Sequence, residues 1–545
     1  MSLPVEQQFR HARLMSGGYQ SASRFDNAFA LWTPGNNAAD AEILHGKDLL
    51  DGRSRDVSRN DAFVSAAIRT HRDSVVGPKF RLNAKPNYKL LGLTEEWAKE
   101  FSEEVEAHWD AWAESIYCWP DAARKMTFTE LVRLAVGVFI TNGEFLATVE
   151  FRSTEKERPL YTAINPIELN RLCNPQDRYP SGQDIRGGVR ISSSGRPLGY
   201  YIRRREVGYT GAYGATFDNY KWSYVRAYAR SSGPLALRPQ VIHILDQERP
   251  GQTRGVSQLV AALKEIRMLR NFRDVTLQNA VLNASFAATV ESDMPPEKAF
   301  ESLGAVSGDA FTEAADKYLA ALGEFSRSSE NLKIDGVKIP YLYPGTKLNM
   351  RPAGEISGGV GLEFEQSFLR CMAASLDLSY EELSRDYSET TYSSARAALN
   401  QTAKSMRARK YSCADRFASI TYRVWFEEIV GRRVLTTMNR VPNIYDNMNM
   451  EAYTSAQWIG ASAGQIDELK ETQAAIKRIE SGLSTYEKEC ARFGDDFRHV
   501  FEQISRERAR MDELGLEFTI GGPPLEQEAA EGGEAGAGEG NASNG

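Results

Sequence analysis

Two long stretches of this 545-residue sequence contain neither glycine nor proline, and they constrain the fold more than any other feature. They span residues 256–294 and 362–430. Because glycine and proline are the strongest local breakers of helices, both stretches favour long helices. The first stretch has apolar residues at helical spacing, namely Leu259, Leu263, Ile266, Leu269 and Phe272. A helix of about 35 residues would be about 50 Å long, so we expect it to extend beyond the core of one domain.

The second stretch is too long for one uninterrupted helix, and a polar segment divides it. Residues 379–394 read SYEELSRDYSETTYSS. Serine, threonine and aspartate side chains compete with the helix for backbone hydrogen bonds, so this segment is the natural place for a break. We therefore predict two helices that bracket a loop at residues 379–394.

The N-terminal half predicts further helices and a β-rich region. Residues 1–45 lack periodicity and predict a mobile arm, and a helix should run from about Leu49 to Gly77. Thr94 can cap the next helix, and Thr127 with Glu130 forms the capping box of another. The apolar stripe of the Thr94 helix comprises Trp97, Phe101, Val105, Trp109, Trp112 and Ile116. Residues 142–151, NGEFLATVEF, alternate like a strand, and strands should dominate residues 140–250.

The C-terminal part predicts two helices over residues 458–516, divided at residues 481–484, with Ser484 or Thr485 as a cap. Residues 521–545 form a Gly/Ala/Glu tail that should be disordered, because it has almost no apolar surface to bury. Together these patterns predict an α+β fold of several units.

Composition excludes several classes of protein. The net charge is −7, but five of the acidic residues lie in the tail, so the rest of the chain is nearly neutral. A nearly neutral body disfavours a tight, general nucleic-acid binder. The mean hydropathy is −0.45, and the best apolar run, residues 131–140, is too short and too interrupted to span a membrane. With no secretory signal at the start, we expect a cytoplasmic protein without membrane contact.

Residues that could carry catalysis or bind metals are sparse. The five cysteines are scattered without C-x-x-C spacing, and no two of the six histidines lie four residues apart, so we predict reduced cysteines and no metal site. No phosphate-binding loop or nucleophile elbow occurs. His243 should be a packed strand residue, and the acidic pairs at 381–382 and 427–428 resemble solvated helix faces. We therefore predict neither an enzyme nor a cofactor.

Residues 186–238 combine ten basic side chains with nine aromatic ones and only two acidic ones, Glu206 and Asp218. Basic residues among aromatics can neutralise and stack on nucleic acid. The same pattern is also typical of a sheet whose outer face is positive and whose aromatics pair across strands or contact another subunit. The sequence leaves both interpretations open.

Five blocks carry a resemblance to a known family: residues 53–77, 127–145, 241–259, 376–401 and 466–507. The most specific motifs within them are RPGQTRG at 249–255 and DYSETTYSSARAAL at 386–399. On these motifs the chain resembles the lambda family of bacteriophage portal proteins. One tripeptide departs from the family pattern. The family usually has Gly-x-Pro before the tyrosine, whereas this chain has Asp377-Leu378-Ser379 before Tyr380.

The resemblance implies a portal fold with an α/β wing, long stem helices, a small clip, a tunnel loop and a helical crown. It implies the following order of parts: a flexible arm (1–45), the wing (46–255), a first stem helix (256–292), the clip (293–357), a second stem helix (358–378), the tunnel loop (379–394), a long wing helix and return (395–455), the crown (456–520) and an acidic tail (521–545).

The function implied by the resemblance is a ring, a dodecamer, at the unique capsid vertex, through which double-stranded DNA is packaged and ejected. The implied partners are the terminase large subunit, a head–tail adaptor protein and the major capsid protein or scaffold. The ring would be part of the virion and would assemble in the host bacterial cytoplasm. The tunnel-loop residues expected at the DNA channel are Tyr380, Glu381, Glu382, Arg385, Asp386, Tyr387, Glu389, Tyr392 and Arg396. The alternative is a non-ring nucleic-acid-binding protein that uses residues 186–238.

Overall fold

The computed structural model describes residues 31–175, 184–204, 221–230, 237–286, 360–388, 390–462 and 468–516, with residue 320 and the pairs 333–334 and 337–338. Most of the predicted clip, Glu389 and the predicted tail lie outside the described residues, as do residues 1–30 of the predicted arm. The described part combines helices with several antiparallel sheets, as the sequence predicts.

The first two helices of the described residues are α1 (Ala39–Asn60) and α2 (Ala62–Val75). The prediction of one helix that begins near Leu49 is wrong in two respects. The first helix begins earlier, at Ala39, and a second helix begins at Ala62. Asp61 lies between the two helices in an extended conformation, and its carboxylate caps α2 by accepting a hydrogen bond from the Val64 amide at 3.0 Å. Ala39 and Asp40 are buried, so residues 39–45 of the predicted arm belong to a packed helix.

The next elements are β1 (Arg81–Ala84), α3 (Tyr88–Leu91), α4 (Glu95–Ala113) and α5 (Phe128–Asn142). Thr94 caps α4 and the capping box of Thr127 and Glu130 begins α5, which confirms both predictions. The apolar stripe of α4 is buried as predicted from Phe101 to Trp112, whereas Trp97 is partly buried and Ile116 is exposed. Ile116 is 87% exposed because α4 ends at Ala113, before the stripe reaches it.

Strands follow as predicted. The strand β2 (Glu144–Phe151) lies between β3 (Thr162–Pro166) and a later strand, Val241–Leu245, in an antiparallel sheet. A four-stranded antiparallel sheet contains β4 (Asp184–Arg186), β5 (Val189–Ile191), β6 (Pro197–Arg203) and β7 (Trp222–Arg226) in that order. A short ladder joins β8 (Tyr228–Arg230) to β9 (Leu237–Pro239), and the strand Val241–Leu245 is β10.

The first glycine-free stretch begins with a 3₁₀ turn, Gln258–Ala262, and only then continues as α6 (Leu263–Phe286). The prediction of a continuous helix from residue 256 is therefore wrong at its start. The hydroxyl of Ser257 accepts a hydrogen bond from the Leu259 amide at 3.1 Å and donates to the Ile140 carbonyl at 3.0 Å, which fixes the turn against α5. The buried face of α6 contains Ile266 and Leu269. Two short strands, β11 (Lys333–Ile334) and β12 (Val337–Lys338), pair further along the chain.

The second stretch gives α7 (Val360–Ser375), the short α8 (Tyr380–Ser384) and α9 (Tyr392–Arg409). A turn of π-helix, Lys410–Asp415, joins α9 to α10 (Arg416–Gly431) without a break. Two helices do bracket a polar break, as predicted, but the loop is shorter than residues 379–394. Ser379 and Thr391 are N-caps of α8 and α9, so only residues 385–391 lie between these two helices.

The C-terminal region differs from its prediction. After α11 (Asn449–Tyr453), the strand β13 (Ala456–Ile459) pairs with β1, so Trp458 and the first residues of the predicted crown extend a sheet. The described residues that follow form three helices, not two: α12 (Glu468–Glu480), α13 (Tyr486–Arg492) and α14 (Phe497–Leu514). Thr485 caps α13, as predicted.

Aromatic side chains form the centre of the main core. Trp109 of α4 lies between Phe128 of α5, Trp425 of α10 and Trp458 of β13, with ring centroids 4.8, 5.2 and 5.6 Å away. Edge-to-face contacts of this kind add to the hydrophobic gain from burial. The core therefore fixes α10, which continues α9, against the N-terminal helices, and α9 leads back to the polar loop.

Candidate DNA-channel segment and its anchors

The polar loop begins at a buried root between α7 and α8. Leu376 and Leu378 are buried, and Asp377 between them has a φ of +55°. This left-handed conformation suits glycine, and aspartate tolerates it better than most residues do. The Asp377 carboxylate accepts a hydrogen bond from Arg409 Nη2 at 3.0 Å. The departure from the Gly-x-Pro of the family is therefore accommodated by an ion pair to α9.

Two residues predicted for the DNA channel have contacts that hold α8 in place. Glu382 closes the capping box with Ser379, and one of its oxygens accepts a hydrogen bond from the Thr402 hydroxyl at 2.6 Å. The ring of Tyr380 packs against the core beneath the Arg370 guanidinium, which lies 5.4 Å from the ring centroid. Both contacts are structural, so the structure gives Tyr380 and Glu382 a role within the subunit.

The loop after α8 is fixed at both ends. Arg385 ends α8 with a φ of +61° and donates a hydrogen bond from Nη2 to the Thr70 hydroxyl of α2 at 3.0 Å. Asp386 accepts hydrogen bonds from the amide and hydroxyl of Ser388, and these bonds lower the pKa of its carboxyl. At the far end, Thr391 forms a capping box with Ser394.

The remaining predicted residues that the structure describes are exposed or half-buried. Tyr387 is 53% exposed and Tyr392 45% exposed, Arg396 is exposed, and Glu381 is half-buried. Glu389 lies outside the described residues. The structure therefore divides the described members of the predicted set into anchors at the root and more exposed side chains beyond it.

The sequence did not reveal the buried group that joins the loop root to the rest of the subunit. Arg409 is 5% exposed, and its guanidinium contacts His71 of α2, Asp377 of the loop root and Gln258 at the base of α6. Its Nη1 donates to Nδ1 of His71 at 2.6 Å. Burial, with the charge of Arg409, lowers the pKa of His71 to about 3. Arg409 of α9 therefore joins α2, the loop root and the base of α6, and the histidine that it contacts is neutral.

The low pKa of His71 predicts a loss of stability in mild acid. Below the usual pKa of 6.5 the unfolded chain takes up a proton that the folded chain excludes, so the free energy of unfolding falls as the pH drops. We expect a loss of about 1 kcal/mol between pH 6.5 and 5.5 from this group. The variant His71→Gln keeps a hydrogen-bond acceptor without titrating and should lose that much less in urea unfolding. An identical pH dependence in both proteins would contradict this assignment.

A second buried group explains the motif RPGQTRG at 249–255. Glu144 of β2 is fully buried and contacts Arg254 Nε at 2.9 Å, the Gly255 amide at 2.9 Å, His243 Nε2 at 3.0 Å and Lys47 Nζ at 3.2 Å. Burial alone would raise the pKa of Glu144, but Arg254, His243 and Lys47 outweigh it and hold the pKa well below its usual value. His243 is a strand residue, as predicted, and its partner is this carboxylate.

The glycines and polar residues of the motif have steric and hydrogen-bonding roles. A Cβ on Gly255 would lie 2.1 Å from the carbonyl oxygen of Gly143, a contact that no side chain can make. The amide and hydroxyl of Thr253 donate to Asp40 of α1 at 2.8 and 3.0 Å. The motif therefore joins α1, β2 and the 3₁₀ turn that leads into α6.

Six basic and aromatic residues of the region 186–238 lie on the outer face of the four-stranded sheet. Tyr201 of β6 faces Tyr224 of β7, with ring centroids 5.0 Å apart. The guanidinium of Arg203 lies 5.5 Å from the Trp222 ring, and that of Arg190 lies 5.9 Å from the Tyr224 ring. Cross-strand pairing, one of the two interpretations of this pattern, is confirmed. We define the basic sheet face by its residues Arg190, Tyr201, Arg203, Trp222, Tyr224 and Arg226.

Chemical sites of other kinds are not visible in the parts of the chain that the structure describes. Within those ranges no group of three or more His, Cys, Asp or Glu side chains is arranged to hold a metal ion, and the five cysteines form no disulfide. None of the described helices is both long and apolar enough to cross a membrane.

Comparison with known proteins identifies the class. The family model for lambda-family phage portal proteins matches residues 25–410. The portal protein of Escherichia phage N15 is 34% identical over 508 residues, which cover 92% of each chain. Portal protein B of Escherichia phage lambda is 34% identical over 507 residues, covering 92% of this chain and 91% of that protein. These matches place the chain among the phage portal proteins. Within that class it belongs to the lambda family, as its motifs predict.

A more distant relative and two solved structures are also similar. The probable portal protein of Halomonas phage phiHAP-1 is 23% identical over 496 residues, covering 89% of this chain and 85% of that protein. The neck of an empty gene transfer agent particle matches with a TM-score of 0.36 and 11% identity, over 86% of this chain and 96% of that one. A neck computed with C12 symmetry gives a TM-score of 0.32 and 9% identity, over 83% and 99%.

Proposed function

We propose that this chain assembles into a ring, a dodecamer, at the unique vertex of a phage capsid, and that double-stranded DNA passes through the ring during packaging and ejection. The observation that carries the proposal is membership of the portal family over most of the chain. The ring would offer docking surfaces to the terminase large subunit, to a head–tail adaptor and to the major capsid protein or scaffold. It would be part of the virion and would assemble in the host bacterial cytoplasm.

Within the ring, we assign the parts as follows. Residues 46–255 form the wing, with α1 extending it to residue 39, and α6 and α7 are the two stem helices on either side of a clip. Residues 385–391 are the tunnel loop, α9 and α10 form the long wing helix, and α12, α13 and α14 form the crown. The assignments of α6 and α7 are supported by their mutual contact, which includes the ion pair of Arg273 with Glu365.

The tunnel loop has the mechanical properties that a DNA conduit needs. Its root is held by Asp377, Glu382 and Arg385 through contacts to α9 and α2. Its tip, by contrast, exposes Tyr387, and the hydrogen bonds of Asp386 and Ser388 there are local. The tip can therefore change conformation without unfolding the helices on either side.

The charges of the loop favour contacts with DNA that are weak and quickly exchanged. The exposed carboxylate of Asp386 repels phosphate, and the exposed guanidinium of Arg396 attracts it. A polyanion that must slide cannot be held by many cations at once, because each phosphate that is neutralised adds to the affinity. The mixed charge of the loop fits a lining that touches DNA without retaining it.

The proposed protein is a conduit and not an enzyme, so the energy for packaging would come from the terminase motor. The sequence contains no nucleotide-binding loop that could supply this energy within the chain itself. The buried carboxylate of Glu144 is neutralised by structural partners and not directed at a substrate site.

Ring assembly is the direct test of the proposed function. Native mass spectrometry of the purified protein should show a closed oligomer, with a twelve-subunit species dominant. The long helices α6 and α7 expose Met268, Val275 and Phe364, and a neighbouring copy would cover such apolar surface. A compact monomer as the only species at high protein concentration would contradict the proposal.

A further inference from the structure

The four-stranded sheet β4–β7 has two faces of opposite character. Its inner face is packed, because Val189, Ile191, Tyr200 and Ile202 are buried in a separate hydrophobic cluster. Its outer face is the basic sheet face, which is partly exposed to solvent. We propose that the basic sheet face contacts the backbone phosphates of duplex DNA, at a surface distinct from the tunnel loop.

Charge is the first reason. Among the described residues, Arg190, Arg203 and Arg226 have no ion pair with a carboxylate. The four strands contain a single acidic residue, Asp184, and its carboxylate pairs with Arg186. Since the chain apart from its tail is nearly neutral, three guanidiniums on one sheet face without an ion pair among the described residues are a local excess of positive charge that favours a polyanion.

The aromatic contacts are the second reason, because they orient the arginines. Arg203 lies over Trp222, and Arg190 lies over Tyr224. A guanidinium stacked on a ring loses less conformational freedom when it binds, and its remaining N–H groups can contact phosphate in a bidentate manner. The sheet also holds the strands of these residues at fixed spacing.

The same contacts favour the backbone of a duplex over the bases of a single strand. Proteins that bind single strands stack bases on open aromatic faces. Here guanidiniums occupy a face of Trp222 and a face of Tyr224, so the surface presents charge where bases would stack. Duplex DNA also has the higher charge density. The binding should therefore be independent of sequence and sensitive to salt.

The test measures the affinity of the assembled protein for a short fluorescent duplex at several salt concentrations. Each phosphate that a protein neutralises contributes about 0.9 to the magnitude of the slope of log K against log salt. The triple variant Arg190→Ala, Arg203→Ala, Arg226→Ala should therefore lower that magnitude by about 2–3. Arg226→Ala alone should lower it by about 0.9. Arg226 is exposed and its side chain has no hydrogen bond or ion pair with a described residue, so this single variant should keep the fold.

The matched control removes the same charge elsewhere. Lys89, Lys99 and Lys156 are exposed and have no ion pairs with described residues, so their triple substitution by Ala should leave the slope unchanged. Replacing residues 386–390 by Gly/Ser should also leave this binding unchanged, which separates it from any failure of the tunnel loop. A slope that is unaltered in both arginine variants would overturn the proposal. So would tighter binding of a polyglutamate peptide than of the duplex, or failure of Arg226→Ala to assemble.

Discussion

Replacement of residues 386–390 by a Gly/Ser segment of equal length should give normal rings that enter capsid precursors but package no DNA above the level of a portal-free reaction. The segment lies between Arg385, which anchors to Thr70, and Thr391, which caps α9. Both anchors are kept in this variant, so neither helix loses its end contacts. The change is confined to the tip, which is the part that we assign to DNA. The measurement is DNA protected from nuclease after packaging in vitro.

Two single variants control this experiment. Tyr387→Ala alters an exposed aromatic of the tip, whereas Tyr117→Ala alters a comparably exposed aromatic of the wing. We expect reduced packaging only with Tyr387→Ala. Full packaging by the segment replacement would refute the tunnel-loop assignment, and loss of ring assembly would show that the tip is a structural element.

Arg254→Met should have the largest effect on folding. The substitution leaves the carboxylate of Glu144 buried without its main partner, since Arg254 contributes two nitrogens to it and also donates to the carbonyl of Leu172. Removing one partner of a buried ion pair costs about 3–5 kcal/mol, which is a large share of the stability of a typical protein. We expect mostly insoluble protein, or a strongly lowered midpoint in urea unfolding.

The control for this substitution lies in the same motif. Arg249 pairs with Glu42 of α1 at the surface, and both side chains are about half exposed. Exposed pairs contribute about 0–1 kcal/mol, so Arg249→Ala should unfold nearly like the wild type. Equal stability of Arg254→Met and Arg249→Ala would contradict the role that we give to the buried carboxylate.

Local patterns in the sequence predicted the helices well and their boundaries less well. Absence of glycine and proline identified α6, α7, α9 and α10, and the caps at Thr94, Thr127 and Thr485 were correct. Serine and threonine also led to a wrong prediction, namely that the loop spans residues 379–394. Ser379 and Thr391 look like helix breakers in isolation, yet each one begins a helix, because its side chain satisfies the free backbone amides of the first turn.

Long-range partners could not be predicted in this way. Arg409 and His71 are 338 residues apart, and Arg254 and Glu144 are 110 apart. No local period distinguishes a buried arginine with distant partners from an exposed one on the same helix. The motif RPGQTRG was recognised as specific, but its reason became visible only when β2 placed Glu144 beside it. The contacts of Tyr380 and Glu382 with other elements likewise follow from no local pattern.

Cryo-electron microscopy of the purified, assembled protein tests the central claim most directly. We predict image classes of a closed ring of twelve copies, in which residues 385–391 lie at the smallest radius of the central channel. Images of monomers alone, or a ring in which residues 385–391 face the outer surface, would contradict it.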